Sequence, residues 1–371
     1  MPQELGLIGV IVVLGWVLTS FGGQVQVRGV QVNNFLRVDN IVPSVLTPAS
    51  WMAIMAIGVT FVVAAGGIDI SVGSIFGLAA LACAGVLQEL PENASAWRAV
   101  PLAMGVALGV GLACGLINGL LVVGLRLHPF IVTLATMSIF RGIALVTVKE
   151  GSLPSGDASL PLAFTNHLMA WETPIGPGYA PWWCPRFLWD SLVQLPTSIQ
   201  PIPLTVLVAC LAVAWVFLGY TVWGREIYAI GGNEEAAHFS GLRVGRIKLR
   251  AYALSGLFAG IAAMVSTGYH GSANTKTGDG YELMVIAAAV VGGASLSGGR
   301  GTALGAVLGA LVIQMIDNGI LILKKIDLGI LTLKLSKEYA KIIVGIAILV
   351  AVAVDQLSQY LQRRRLARRG G

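Results

Sequence analysis

The chain has 371 residues, 56% of them hydrophobic and only 11% charged, which excludes a soluble globular protein, where about a quarter of residues carry charge. A bilayer offers no water to free backbone groups, so the long apolar runs must be helical, and the lack of alternating ten-residue stretches excludes a membrane barrel. The formal charge of +6 is concentrated in the interval Gly224 to Arg250 and in the tail Arg363 to Arg369; a basic cluster after a last span marks a cytoplasmic end, and no nucleic-acid partner is expected.

The first apolar run, Leu5 to Phe21, has neither a basic leader nor an Ala-x-Ala-like site, so no cleaved signal peptide is expected. Gly22 to Ser44 is polar and is placed outside. A second run, Val45 to Ala65, ends at Gly66-Gly67, and a third begins at once with Asp69 and continues to Leu87. A charge inside a bilayer costs about 2.5 to 3.5 kcal/mol on insertion scales, so Asp69 must sit at a helix end, paired or solvated. Two compatible readings follow for Asp69 and Ser71. Either they cap a helix, or the break exposes polar groups to a water-filled path.

Gln88 to Ala99 is a polar loop. Residues 100 to 125 are apolar, with Gly105, Gly109, Gly111, Gly115 and Gly119 allowing close helix contacts. Asn118 on this run is either an interhelical hydrogen bond or a solute contact. The turn at Arg126 to Phe130 leads to the fifth run, Ile131 to Val148; its lone His128 has no companion at metal-ligand spacing.

Residues 149 to 203 form an insertion rich in proline and tryptophan, including Trp171, Trp182, Trp183 and Trp189. Tryptophan beside proline suits headgroup depth, and a platform for a soluble binding protein is the alternative. Cys83, Cys114, Cys184 and Cys210 show no disulfide or metal spacing; three lie in apolar runs as small hydrophobes and Cys184 lies in the insertion.

After a sixth run, Leu204 to Val222, comes the charged island, residues 224 to 250. Gly231-Gly232 break the chain. Asn233 then caps a helix of about two turns, Glu234 and Glu235 complement its dipole, and Gly241 stops it. Ala236, Ala237 and Phe239 give it a small, smooth surface that suits a docking helix, ringed by Arg225, Arg243, Arg246, Lys248 and Arg250. The plainer reading is a solvated turn between spans.

A seventh run, Ala251 to Thr267, is followed by the loop Gly268 to Gly280, placed outside. Glu282 to Val291 leads to a break at Gly292 to Gly301, and Thr302 to Leu323 leaves it. The pattern at 292 to 299 echoes 66 to 73, as duplicated halves with broken helices would. Gln314, Asp317 and Asn318 share one face of the ninth run, which must look into protein or toward water. Lys324 to Lys337 is placed outside against the positive-inside rule, Tyr339 to Val354 is the tenth run, and residues 355 to 371 form a basic cytoplasmic tail.

No Gly-Lys dipeptide occurs, so no phosphate-binding P-loop is present, and His-Glu-x-x-His and Gly-x-Ser-x-Gly are also missing. The chain is expected to be no enzyme, with no metal site and no cofactor of its own.

Three stretches carry a resemblance. Gly224 to Gly241, reading Gly-Arg-Glu-Ile-Tyr-Ala-Ile-Gly-Gly-Asn-Glu-Glu-Ala-Ala-x-x-x-Gly, resembles the cytoplasmic coupling loop of permeases from sugar-importing ABC transporters of the ribose/xylose type. Ala65-Gly-Gly-Ile-Asp-Ile-Ser-Val-Gly-Ser74 and Ala289-Val-Val-Gly-Gly-Ala-Ser-Leu-Ser-Gly-Gly-Arg-Gly301 resemble two further signatures of that family. Together they cover about residues 45 to 355.

The resemblance implies an all-α polytopic protein of about ten spans with cytoplasmic termini, in a bacterial inner or plasma membrane. It implies a homodimer, or a heterodimer with a similar permease, and a monosaccharide-like solute delivered by a periplasmic or surface-tethered binding protein. A separate cytoplasmic ATPase would bind ATP and magnesium. Asn233, Glu234, Glu235, Ala236, Ala237, Phe239 and Gly241 become the coupling residues; Asp69, Ser71, Asn118, Ser295, Ser297, Gln314 and Asn318 are candidates for the path. The first span departs from the pattern in its short leader, and the insertion is longer than the family norm. Two alternatives remain: a related ABC permease for branched-chain amino acids or nucleosides, and an ion-coupled secondary carrier using Asp69 or Asp317.

Overall fold

The computed structural model describes residues 2–27, 29–176, 196–323, 325–327 and 332–334, with single positions between 185 and 193 and between 339 and 353. Cys184, Trp182, Trp183, most of the tenth run and the tail 355–371 lie outside the described residues.

Among the described residues, nine of the apolar runs are helices. They are α1 (Pro2–Phe21), α2 (Thr47–Ala64), α3 (Val72–Leu87), α4 (Ala96–Gly124), α5 (Pro129–Thr147), α6 (Ile202–Tyr220), α9 (Val244–His270), α10 (Tyr281–Val291) and α11 (Ala303–Leu323). Two short helices, α7 (Val222–Gly232) and α8 (Glu234–Phe239), lie between α6 and α9. Among the described residues, seven helices, α2 counted with the turns before it, are long and apolar enough to cross a membrane, and α3 and α10 are shorter. The protein is therefore an all-α polytopic membrane protein.

Among the described residues there are four two-stranded antiparallel ribbons: β1 (Gln24–Val27) with β2 (Val30–Asn33), β3 (Ser152–Leu153) with β6 (Ala273–Asn274), β4 (Thr173–Ile175) with β5 (Thr197–Ile199), and β7 (Lys325–Asp327) with β8 (Thr332–Lys334). The loop Gly22 to Ser44 thus holds a hairpin, whose Val25↔Val32 and Gln26↔Gln31 pairings are too short for periodicity to announce.

Helix α2 is the axis of the fold. Every residue from Thr47 to Ala64 except Pro48 is buried, as expected of a helix that is apolar all round. Around it pack α9, α11, α10 and α6. Helices α5 and α6 turn Leu134, Ile139, Ile143, Val208, Val213 and Trp215 outward, the side that lipid covers. Helix α1 leans on α11, where Leu18, Phe35, Val45 and Met315 form a small separate core.

The tightest helix pair is α4 with α9. A side chain at Gly111 would meet the Gly256 carbonyl, one at Gly115 the Tyr252 carbonyl, and one at Gly260 the Ala107 carbonyl. The two backbones touch, which only glycine allows. Gly105 and Gly109 were expected in this seam; they face open space instead, because they lie on the opposite side of α4.

Both helix breaks close in the same way. Gly66 (φ +77°) and Gly293 (φ +94°) adopt the left-handed conformation. Gly66 N donates to Val63 O and Gly67 N to Val62 O, both at 2.9 Å; Gly293 N donates to Val290 O and Ala294 N to Ala289 O, again at 2.9 Å. This paired bonding satisfies the last carbonyls of a helix and reverses the chain. The structural register pairs Gly66 with Gly293, one residue away from the register of the sequence echo.

Candidate functional site

The charged island is built as its local signals dictate. Thr221 Oγ1 accepts from Gly224 N at 3.2 Å to start α7, and Asn233 Oδ1 accepts from Ala236 N at 2.9 Å to start α8. Gly241 (φ +85°) ends α8, with Leu242 N donating to Ala237 O at 3.1 Å. Glu234, Glu235, Ala236 and Phe239 are exposed, Phe239 at 80%. Ala237 is corrected: its side chain is buried and faces the protein, so it offers nothing to a docking partner. A helix of under two turns must give one side to its own protein, and Ala237 is on that side.

Part of the basic ring is already engaged. Lys248 Nζ lies 2.7 Å from Glu234 Oε2, and Arg250 stacks over Trp223 at 4.2 Å from the ring centroid. Arg225, Arg243 and Arg246 remain exposed.

The end of α7 makes the contact that joins the three sequence signatures. Gly231 lies against Ala64 O, at the end of α2, and against the backbone N of Gly299. Gly299 N in turn donates to Ala64 O at 2.9 Å. Gly298 (φ +86°) packs on Gly231, and Gly299 packs on Gly232. Tyr228 donates its hydroxyl to Gly301 O at 2.6 Å. Segments near residues 65, 231 and 299 thus meet backbone to backbone, with no side chain between them, two residues before Asn233, the cap of α8.

The first break carries a buried polar cluster. Asp69 is fully buried. Its Oδ1 accepts from Ser71 N at 3.0 Å and from Ser71 Oγ at 2.6 Å, and its Oδ2 accepts from Ser255 Oγ of α9 at 2.8 Å. Asn118 Nδ2 of α4 donates to Ser71 Oγ at 2.7 Å. Tyr252 donates to Ile68 O at 3.1 Å. Three donors on one carboxylate are the compensation that a buried acid requires.

The capping reading of Asp69 survives in altered form. It accepts from the residue two positions on, as in an Asx-turn, whereas the cap position itself falls to Ser71, whose side chain makes no capping bond. In this conformation Asp69, Ser71, Asn118 and Ser255 are all 0% exposed, so these groups are enclosed by protein here.

The remaining path candidates also have protein partners. Asn318 and Asn40 exchange amide hydrogen bonds at 3.1 and 3.3 Å, and Gln314 Nε2 donates to Ser44 O at 3.4 Å. The polar stripe of α11 therefore packs against the segment before α2. Ser295 and Ser297 share a hydroxyl bond of 2.8 Å within the turn that reaches Gly231, so they shape the junction.

Tyr228, Tyr252, Ser255 and the bond that Arg141 Nη1 donates to Thr277 O at 2.8 Å went unread in the sequence. Each acts on a partner 73 to 186 residues away, or lies within an apolar run where a hydroxyl looks incidental. No cluster of metal-ligating residues occurs among the described residues.

The sequence profile of the family described as "Branched-chain amino acid transport system / permease component" matches residues 41–352. The chain is 38% identical over 323 residues to the ribose import permease protein RbsC of Bacillus subtilis, covering 87% of this chain and 86% of that one. It is 33% identical over 326 residues to RbsC of Escherichia coli K12, covering 88% of each. To the galactose/methyl galactoside import permease protein MglC of the same strain it is 35% identical over 331 residues, covering 87% and 88%. No solved structure matches the chain.

Proposed function

Because this chain belongs to the family of branched-chain amino acid transport system permease components, we infer that it is the membrane-spanning permease subunit of a sugar-importing ABC transporter. The family's description covers a broad class. The named relatives that match across most of this chain import ribose, galactose and methyl galactoside, so a monosaccharide is the solute.

The single observation that supports the mechanism is the junction of Gly231 with Ala64 and Gly299. A cytoplasmic ATPase of another chain, holding ATP and magnesium, docks on the exposed side of α8 through Glu235, Ala236 and Phe239. Asn233 and Gly241 fix the two ends of that helix. Any shift of α8 is passed through Gly231-Gly232 to the ends of α2 and α10 together. An ATPase can drive the permease only by holding α8 differently in its two nucleotide states. The permease works as a pair, with itself or a similar chain, in the bacterial inner membrane. Solute arrives from a binding protein at the opposite face, with the 149–203 insertion as its platform.

The experiment is co-purification from detergent-solubilised membranes, comparing wild type with Glu235→Arg plus Phe239→Asp, two exposed positions. An ATPase subunit recovered with the wild type and lost with the variant supports this reading. Equal recovery of the ATPase with both overturns the role given to α8.

A further inference from the structure

The segment between α9 and α10, residues 271 to 280, does not stand off the protein. Its Ala273 and Asn274 pair with β3, and Arg141 Nη1 of α5 donates to Thr277 O at 2.8 Å. Gly278 lies against Gly73 O and the ring of Phe76 on α3. Between this folded-in segment and the last turn of α9 a cavity of about 320 Å³ remains. That is room for about ten waters, at the small end of the range for small-molecule pockets.

One wall is aromatic. Phe76 and Tyr281 both line the cavity and stack with ring centroids 5.7 Å apart at 26°. His270 lines it too; its Nδ1 lies 2.9 Å from Ser266 O. A carbonyl only accepts, so Nδ1 carries a proton, and in the neutral ring Nε2 is then the acceptor. Thr267, 1% exposed, lines the same space, and its hydroxyl has no hydrogen-bond partner. A buried hydroxyl left unpaired is costly and rare; at the wall of a cavity it points to an occupant with polar groups.

We propose that this cavity is a binding site for one neutral monosaccharide on its way through the permease. A sugar ring has an apolar face that suits Phe76 and Tyr281, and hydroxyls that satisfy Thr267 and His270 Nε2. Among the described residues that line the cavity none is acidic, while Lys276 is basic, so the ammonium group of an amino acid would find no counter-charge there. The proposal rests on the sugar reading above and adds where the sugar is held.

The site is also placed to sense the junction. Helix α9 runs from the island to the cavity, 27 residues or about 40 Å, so the two lie at opposite ends of one helix. Phe76 stands in the second turn of α3, the helix that starts at the Gly66 break.

The test uses the complete transporter, permease with its ATPase and binding protein, in proteoliposomes with D-ribose, D-galactose, D-allose and L-leucine as probes. Thr267→Val keeps the shape and removes only the unpaired hydroxyl, so thermal stability should not fall, while kcat/KM for the imported sugar should drop roughly 5- to 10-fold, the worth of one good hydrogen bond. Ser272→Trp, at the exposed rim, should obstruct the mouth and lower uptake at least ~10-fold. Wild-type kcat/KM in both variants overturns the proposal while leaving the sugar reading intact. A wild-type complex that imports leucine and none of the three sugars overturns the sugar reading itself, and the site with it.

Discussion

Replacing Asp69 by alanine takes the acceptor away from three buried donors at once: Ser71 N, Ser71 Oγ and Ser255 Oγ. Hydrogen bonds between membrane helices average about 0.6 kcal/mol each, which sets a floor of about 2 kcal/mol for the three. Leaving a buried donor unpaired costs about 1 to 3 kcal/mol, or about 3 to 9 kcal/mol if all three stay unpaired, so the loss should fall between about 2 and 9 kcal/mol. Even the floor changes the folded-to-unfolded ratio by a factor of about 30. Asp69→Asn should behave differently. Its Oδ1 keeps both bonds from Ser71, and its amide donates to the Ser255 oxygen, which reverses that bond without losing it, so stability should stay within about 1 kcal/mol of wild type. Unfolding of the detergent-solubilised permease by denaturant titration measures both variants, and uptake in proteoliposomes measures their function. An Asp69→Ala protein as stable as wild type would refute the network argument. An Asp69→Asn protein that folds normally and transports nothing would refute it in another way, because the charge itself would then be in use, as in an ion-coupled carrier.

Two further outcomes follow from the same geometry. Gly231→Val puts a branched side chain against Ala64 O and Gly299 N; the variant should still recover the ATPase, whose docking surface is untouched, and lose uptake at least ~10-fold, and wild-type uptake would sink the lever. Asn318→Leu should cost about 1 to 3 kcal/mol by taking the donor from Asn40 Oδ1, while Asn40 Nδ2 keeps its bond to Phe35 O, and Asn40→Leu with Asn318→Leu should recover part of that loss with uptake intact; lost uptake in a stable double variant would place these residues on the path.

What the sequence disclosed depended on the range of the signal. The ends of α8 were legible because Asn233 and Gly241 act on neighbours three or four residues away. The breaks at Gly66 and Gly293 were legible for the same reason. Which side of α8 faces out was not, since six residues are too few for a periodic pattern, and Ala236 and Ala237 are chemically alike. Gln314 and Asn318 could be placed on one face of α11 that looks into protein or toward water, but nothing local tells a packed polar face from a wet one. That distinction came from Asn40 and Ser44, some 270 residues away. The meeting of residues 64, 231 and 299 was invisible for a similar reason, because it is made by backbone atoms and a glycine advertises no partner.

The seam between α4 and α9 bears on how such a molecule can move at all. Helices usually lock together like gear teeth, each side chain seated in a notch of its neighbour, and displacement means lifting every tooth. Where Gly111, Gly115, Gly256 and Gly260 face each other there are no teeth to lift. Two smooth backbones bear on one another over that stretch, so what holds α9 in register is left to Leu249 against Gly119, Val123 against Gly245 and the bond from Ser255 to Asp69.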